Sequence, residues 1–439
     1  MEDGVEKVPR GDNYLLDGVT TVITGNCGGS RPNLGEWFAK IEKPGLGLNV
    51  ASLVGHNTVR NQAMGTANRK ATPEEIARME ALVEQGMRDG AVGFSTGLIY
   101  IPGTYSDTAE VVALAKAAAR FGGAYASHMR DEGDKISDAI EEAVRVGREA
   151  GMPVQISHFK IDNRNLWGGS TKSIALVEQY RREGIDVVVD QYPYDHSSTN
   201  LGITLPSWAL ADGKDAILER LRSTDTRARI AREMQQRLDQ LGHPDYSYAI
   251  VANFEPDRSL EGKNISEINV SKGRAKSIAN EIETIFEIME KGGAQMVYHS
   301  MSMEDVERIM RYPNTAVASD GGVREFGVGM PHPRSYGTNA RVLGEFVRNR
   351  KTLTLEDAVR RMTSLPARTF RLRDRGHIRE GFAADIVIFD PAKVQDKATF
   401  QSPHQYTEGF EYVLVNGGVM VDQGKLTDER SGRVLRHKQ

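Results

Sequence analysis

The sequence predicts a parallel α/β fold, either an open sheet or a closed barrel, on three observations. Short β-branched runs alternate with amphipathic helical stretches through the first two-thirds of the chain. Glycine is abundant, 44 of 439 residues, as many tight strand-to-helix loops require. The last segment changes character, to short strands divided by Gly turns.

Taken in order, Val19–Thr24 (VTTVIT) reads as a buried strand, as do Val50–Val54, Val92–Ser95, Ala124–Ser127, Val154–Ser157 and Val187–Asp190. Between them, Ala71–Asp89 opens with Thr72 as N-cap, Pro73 at the first helical position and Glu75 at the third, a capping-box pattern. Asp107–Phe121 and Lys135–Ala150 also carry apolar residues at helical spacing. Residues 200–290 break the rhythm with a Pro-Ser-Trp loop and charged helices over Lys214–Leu241 and Ser266–Lys291, read as an insertion at the mouth of the fold. The β/α pattern returns with strands at Gln295–Tyr298 and Ala316–Ser319 and helices at Arg341–Arg350 and Thr354–Thr363. GHIREGFAADIVIFD, YVLVNGGVMV and GKL then read as a small β module.

With 39% hydrophobic residues the chain can build one large domain, or one large and one small. Its 56 basic and 60 acidic residues leave a net charge of −4, which gives no basis for binding nucleic acid or an anionic membrane surface. No apolar run approaches the roughly 18 residues of a membrane span. The opening MEDGVEKVPRGDN is too polar for a signal peptide, and the lone cysteine excludes an internal disulfide; both fit a cytoplasmic protein.

Four strands run straight into residues that apolar packing would not select: Cys27, His128, His158 and Asp320. In a barrel of parallel strands these ends converge at one mouth, where active sites sit. Two imidazoles, a thiolate and a carboxylate meeting there make a Zn2+ site. Singly, each has a blander explanation: a small buried Cys, a satisfied loop His, an Asp in a Gly-Gly turn. Together they are more specific, because His128 and His158 share a Ser-His context after an apolar strand (ASHMR, ISHFK) and lie one strand-helix unit apart. His56 and His299 also end strands and suit hydrogen-bonding or structural roles; His196, His243, His377, His404 and His437 fall in loops or the tail.

The blocks GVTTVITGNCGGS, GFSTGLIYIPGTYSD, YASHMRDEGD, QISHFK, DQYPYDHSST, ASDGG and PHPRSYGT, in this order, resemble the N-acyl-D-amino-acid deacylases of the metal-dependent amidohydrolase superfamily. The resemblance runs from about Val19 to Asp390. It implies a (β/α)8 barrel over residues 1–374, with the insertion at about 200–290, and at 375–439 the C-terminal part of a small β-sandwich. It implies zinc on Cys27, His128 and His158, a catalytic carboxylate at Asp320, and Arg334, Tyr192 and Ser198 around a substrate carboxylate. The implied partner is a small-molecule N-acyl amino acid, and the implied reaction is hydrolysis of its amide to a carboxylate and a D-amino acid. A cyclic-amide hydrolase of dihydroorotase or hydantoinase type is the competing enzyme, but those commonly use a bridging lysine, against the Cys27 context. A non-catalytic truncated remnant is the competing non-enzyme.

Two departures stand out. The family's His-x-His motif, which ends the first barrel strand before the GVTTV block, is absent, and the first histidine is His56. The first half of the sandwich is absent too. The expectation is therefore a chain lacking its first strand, with unpaired sheet edges, unpartnered apolar faces near Ile386 and Val413, one of the eight strand candidates outside the barrel, and weak zinc retention. The loop from Asp320 to Pro331 reads as long, so side-chain preference is expected to differ.

Overall fold

The computed structural model describes residues 1–437. Strands β1 (Thr21–Thr24), β2 (Asn49–Ser52), β3 (Val54–Gly55), β4 (Gly93–Gly97), β5 (Ala124–His128), β6 (Val154–Ile156) and β7 (Val187–Gln191) come first. They are followed by β8 (His196–Asn200), β9 (Ala249–Asn253), β10 (Gln295–His299) and β11 (Thr315–Val317). β1 pairs in parallel with β2, β3 continues β2 after Leu53, and the parallel order runs on through β4, β5, β6 and β7 to β11. The alternation read from the sequence thus folds as one curved parallel sheet with helices packed outside it. Pro73–Arg88 carries the full capping box, with Thr72 accepting from Glu75 N–H and Glu75 accepting from Thr72 N–H.

Two expectations change, one for a strand and one for a helix. Gln295–His299 does not belong to the parallel sheet. It is the middle strand of an antiparallel sheet with β8 and β9 on either side. That sheet is covered by helices Thr224–Leu241, Ile265–Ser271 and Ile278–Glu290, with their own buried core around Ile230, Leu238, Ile285 and Met296. This is the strand candidate outside the barrel. The helix expected at Arg341–Arg350 starts earlier, at Arg334, and passes at Val342 into a π-helical stretch ending at Asn349.

Among the described strands, nothing pairs β1 with β11. The seam is occupied by two short helices, Glu2–Lys7 and Asp12–Leu15. Gly25 N–H, just past β1, donates to Glu2 Oε1 at 2.8 Å. Asn13 Nδ2 donates to the carbonyls of Gly322 and Ser335, and the Tyr14 hydroxyl bonds that of Ser319 at 2.9 Å. These residues flank β11 on its other side, so the helical segment ties the two sheet ends together through side chains rather than through a ladder. The C-terminal module is an antiparallel sheet of β12 (Ile386–Phe389), β13 (Phe410–Val415), β14 (Gly418–Asp422) and β15 (Lys425–Leu426). Contrary to expectation, Val413 there is wholly buried in the main core, together with Val415, Met420 and Val421. Ile388, by contrast, is half exposed.

Candidate active site

The C-terminal ends of the parallel strands bring the four strand-end residues to one place. His128 is the last residue of β5, while Cys27, His158 and Asp320 lie just past β1, β6 and β11. Cys27 (φ 54°), His158 (φ 38°) and Asp320 (φ 46°) all have left-handed backbones, which few non-glycine residues tolerate. Strain of this kind persists where the surroundings enforce it, and it concentrates at functional sites. Here it turns the chain away from the strand so that each side chain points into the mouth.

The ligand atoms of Cys27, His128 and His158 lie within 4.8 Å of one another. Cys27 Sγ is 3.5 Å from His158 Nε2, and the two imidazoles meet edge to face at 4.3 Å between centroids. Neither ring nitrogen of His128 has a hydrogen-bond partner although both are buried. An orphaned buried imidazole costs free energy unless something else binds it. Burial pulls the His128 pKa well below its ordinary value and brings His158 to about 3, in the latter case aided by the Lys160 charge. Both rings are therefore neutral at pH 7, the form that ligates a metal. Burial and the Asp320 charge push the Cys27 thiol well up. A coordinating cation offsets that cost by stabilising the thiolate directly. Three neutral-or-anionic N/S donors around one point, at the edge of a cavity that leaves a further position open, fit Zn2+.

Several contributors to the site carry no signal in a strand-end pattern. Glu132 and Lys160 are both buried. His158 Nδ1 lies 2.9 Å from Glu132 Oε1 and 2.7 Å from Lys160 Nζ, and Lys160 Nζ donates to Glu132 Oε1 at 2.6 Å. Asp190, at the end of β7, accepts from His158 N–H at 2.6 Å and fixes that turn. Tyr100 lies 4.6 Å from His128 between ring centroids. The only advance sign of Glu132 and Lys160 was their closeness to the two histidines in MRDEGD and SHFK.

The residues expected around a substrate carboxylate gather on the far side of Asp320. Arg334 is buried, its guanidinium lies 4.5 Å over the Tyr192 ring, and its Nη2 donates to Ser198 O at 3.3 Å. Arg334 Nη1 is 2.9 Å from Asp320 Oδ2, within ion-pairing distance but not aligned as a hydrogen bond. The Tyr192 hydroxyl is buried without a partner, whereas the Ser198 hydroxyl already donates to Met296 O. Arg324 and His332, not singled out from the sequence, line the same compartment as Asp320 and Arg334.

His56 takes the structural role expected of it, buried against Glu110 at 2.8 Å beside the Arg60–Glu110 pair. His299 and His196 are brought together with Asp195 in a second group whose ligand atoms also lie within 4.8 Å, an arrangement with no counterpart in the strand-end pattern.

The amidohydrolase family model matches residues 46–421. The D-aminoacylase of Alcaligenes xylosoxydans xylosoxydans is 33% identical over 457 residues, covering 97% of this chain and 84% of that protein. The N-acyl-D-glutamate deacylase of the same organism is 33% identical over 441 residues, covering 95% of this chain and 80% of its own length. The crystal structure of the N-acyl-D-glutamate deacylase of Bordetella bronchiseptica, complexed with zinc and a phosphonate mimic of the tetrahedral intermediate, matches with a TM-score of 0.81 at 31% identity, covering 98% of this chain and 85% of that one.

Proposed function

The chain belongs to the amidohydrolase family, among its N-acyl-D-amino-acid deacylases, and from that premise we propose which side chains carry out the hydrolysis. The reaction is zinc-dependent cleavage of the amide of an N-acyl-D-amino acid, giving a carboxylate and a free D-amino acid. The observation that carries the assignment of residues is one juxtaposition. A three-donor group with unsatisfied imidazole nitrogens lies beside a strained carboxylate, Asp320, which itself faces a buried guanidinium, Arg334.

Cys27, His128 and His158 hold the metal. Zinc in a three-ligand site lowers the pKa of water from about 15.7 to about 7 and polarises a carbonyl, the two things amide hydrolysis needs at neutral pH. With Nε2 turned toward the metal, His158 Nδ1–H donates to Glu132, which Lys160 holds in place by its own donation to Oε1, the arrangement usual for partners of metal-bound histidines. Asp320 accepts the proton of the attacking water and delivers it to the leaving nitrogen, a role that requires hydrogen-bond reach of both. Arg334 grips the amino-acid carboxylate through a two-point fork. That contact exchanges the Arg334–Asp320 pair for an Arg334–substrate pair and frees Asp320 when substrate is in place. The partnerless Tyr192 hydroxyl donates to the same carboxylate. Fixing the carboxylate at one end and the carbonyl at the other sets the handedness of the α-carbon between them.

The test is a panel of N-acetyl-D- and N-acetyl-L-amino acids and hydantoins, assayed on zinc-loaded protein, with Arg334→Ala alongside. D-selective turnover of the linear amides, with KM raised strongly in the variant, supports the assignment. Equal turnover of both enantiomers, or a KM that the variant leaves unchanged, overturns it.

A further inference from the structure

Two adjoining cavities of different polarity share Cys27, Tyr100, Ser198, Thr199, Asn200 and Asp320. The larger, about 1020 Å³, has an apolar stretch under the insertion, Ile203, Leu205, Leu210, Tyr246 and Tyr298, and a charged stretch that includes Arg130, Lys160 and Arg237. The smaller, about 310 Å³, is polar: Asn200, Gln295, Arg324, His332 and Arg334 line it. Amide cleavage at their junction would leave the acyl chain on the apolar side and the amino acid on the polar side.

The two guanidiniums of the small cavity are differently engaged. Arg334 has Asp320 at 2.9 Å and the Tyr192 face beneath it. Arg324 has no carboxylate within ion-pairing distance among the described residues, and its one side-chain hydrogen bond is a long one, Nε to Ser335 Oγ at 3.5 Å. The backbone around it is nonetheless fixed. Arg324 N–H donates to Asn13 Oδ1 at 3.2 Å, and Gly322 N–H donates to Ser335 Oγ at 3.2 Å. Desolvation and the neighbouring Arg334 charge both pull the Arg324 pKa down. A cation held beside another cation with no counter-charge is a standing cost, and an arriving anion removes it. The α-carboxylate of an amino acid needs one fork, and Arg334 supplies it.

We infer that Arg324 binds a second carboxylate, on the amino-acid side chain, so that the preferred substrates are N-acyl derivatives of D-aspartate and D-glutamate. This rests on the reading that Arg334 holds the α-carboxylate. The mostly polar wall, with Tyr100 its one phenol ring, offers a leucine or methionine side chain little to pack on, while the apolar stretch of the larger cavity takes the acyl chain.

The experiment is kcat/KM of the zinc-loaded full chain on N-acetyl-D-glutamate, N-acetyl-D-aspartate, N-acetyl-D-leucine and N-succinyl-D-leucine. Arg324→Ala and Arg324→Lys are measured beside it. The acidic amino acids should lead N-acetyl-D-leucine by at least about tenfold. Arg324→Ala should cut the glutamate-to-leucine ratio by ~10²-fold, the loss expected when a charged fork is removed. Arg324→Lys, which keeps charge but not the fork, should fall between. Should the alanine variant not fold, the lysine variant and Arg324→Gln read the same ratio. The inference is overturned if N-acetyl-D-leucine leads, if N-succinyl-D-leucine leads (which would put the second carboxylate on the acyl group), or if the ratio ignores Arg324. Any of these leaves the deacylase assignment intact; absence of turnover on every N-acyl-D compound would sink that assignment as well.

Discussion

The molecule holds two groups of three potential metal ligands with equally close donor atoms, and they differ in almost every other respect. In Cys27–His128–His158 the histidine side chains are 6% and 4% exposed, whereas in Asp195–His196–His299 the most open, His299, is 47% exposed. Both nitrogens of His128 lack partners, but His196 Nδ1 is satisfied by Asp195 at 2.6 Å. Cys27 and His158 sit in left-handed turns past their strands. His196 and His299 are directly opposed residues of a regular antiparallel ladder, their rings stacked at 4.7 Å as cross-strand neighbours commonly are. Proximity of donors is therefore a poor guide on its own. What marks the first group is that the fold has incurred backbone strain and unpaired buried nitrogen to assemble it, and a protein keeps such costs only where something offsets them.

That contrast fails most visibly if the first group does not bind metal. Cys27→Ala should lose most of its zinc by elemental analysis and nearly all activity, because one of three ligands is gone. A variant that purifies with a full equivalent of zinc would remove the basis of the comparison. Asp320→Asn should behave differently, keeping most of its zinc while losing about 10²–10⁴-fold in kcat, the usual worth of a positioned general base. Loss of metal in that variant would make Asp320 a ligand and not a proton carrier.

Much of this geometry was legible in the chain itself, for an identifiable reason. β-branched runs followed by Cys, His or Asp fix both the strand and its end, and parallel strands put all such ends on one side. Local pattern could not show that QMVYH pairs antiparallel, since an apolar run of that length looks the same in either sheet. It could not show Glu132, Lys160 or Arg324 either. Charged residues in MRDEGD, SHFK and GGVREF look like solvated loop positions until the fold buries or encloses them. The role of the N-terminal segment was hidden in the same way: EDGVEKVPRGDNYLL is largely polar, yet Glu2 bonds the β1 side of the seam and Asn13 and Tyr14 bond the β11 side.

The supporting residues sharpen the comparison further. Glu132→Gln keeps the shape but removes the charge that holds Lys160 and His158, and should lower zinc affinity by about 10–100-fold without abolishing it, as loss of an outer-shell partner does. Competition with a chelator measures this. An unchanged affinity would mean that the buried Glu132–Lys160–His158 network serves folding alone.

The smallest effect expected is at the second group. His299 packs on His196 and, at 5.8 Å between centroids, on Trp167, and its nearest charge is Asp195 at 3.7 Å. Its ring is solvent-facing enough that its removal exposes no buried donor. Burial and the adjacent His196 lower its pKa. His299→Ala should therefore leave zinc stoichiometry as in the parent, change kcat/KM by less than about twofold, and shift stability by no more than about 0.5 kcal/mol, the range of ordinary surface substitutions. Elemental analysis and thermal unfolding, with His158→Ala as the contrasting variant, settle the point. If the parent carries an additional tightly held zinc equivalent that disappears in His299→Ala, then a satisfied cross-strand pair can hold metal as well as a strained buried one, and the distinction drawn between the two groups is wrong.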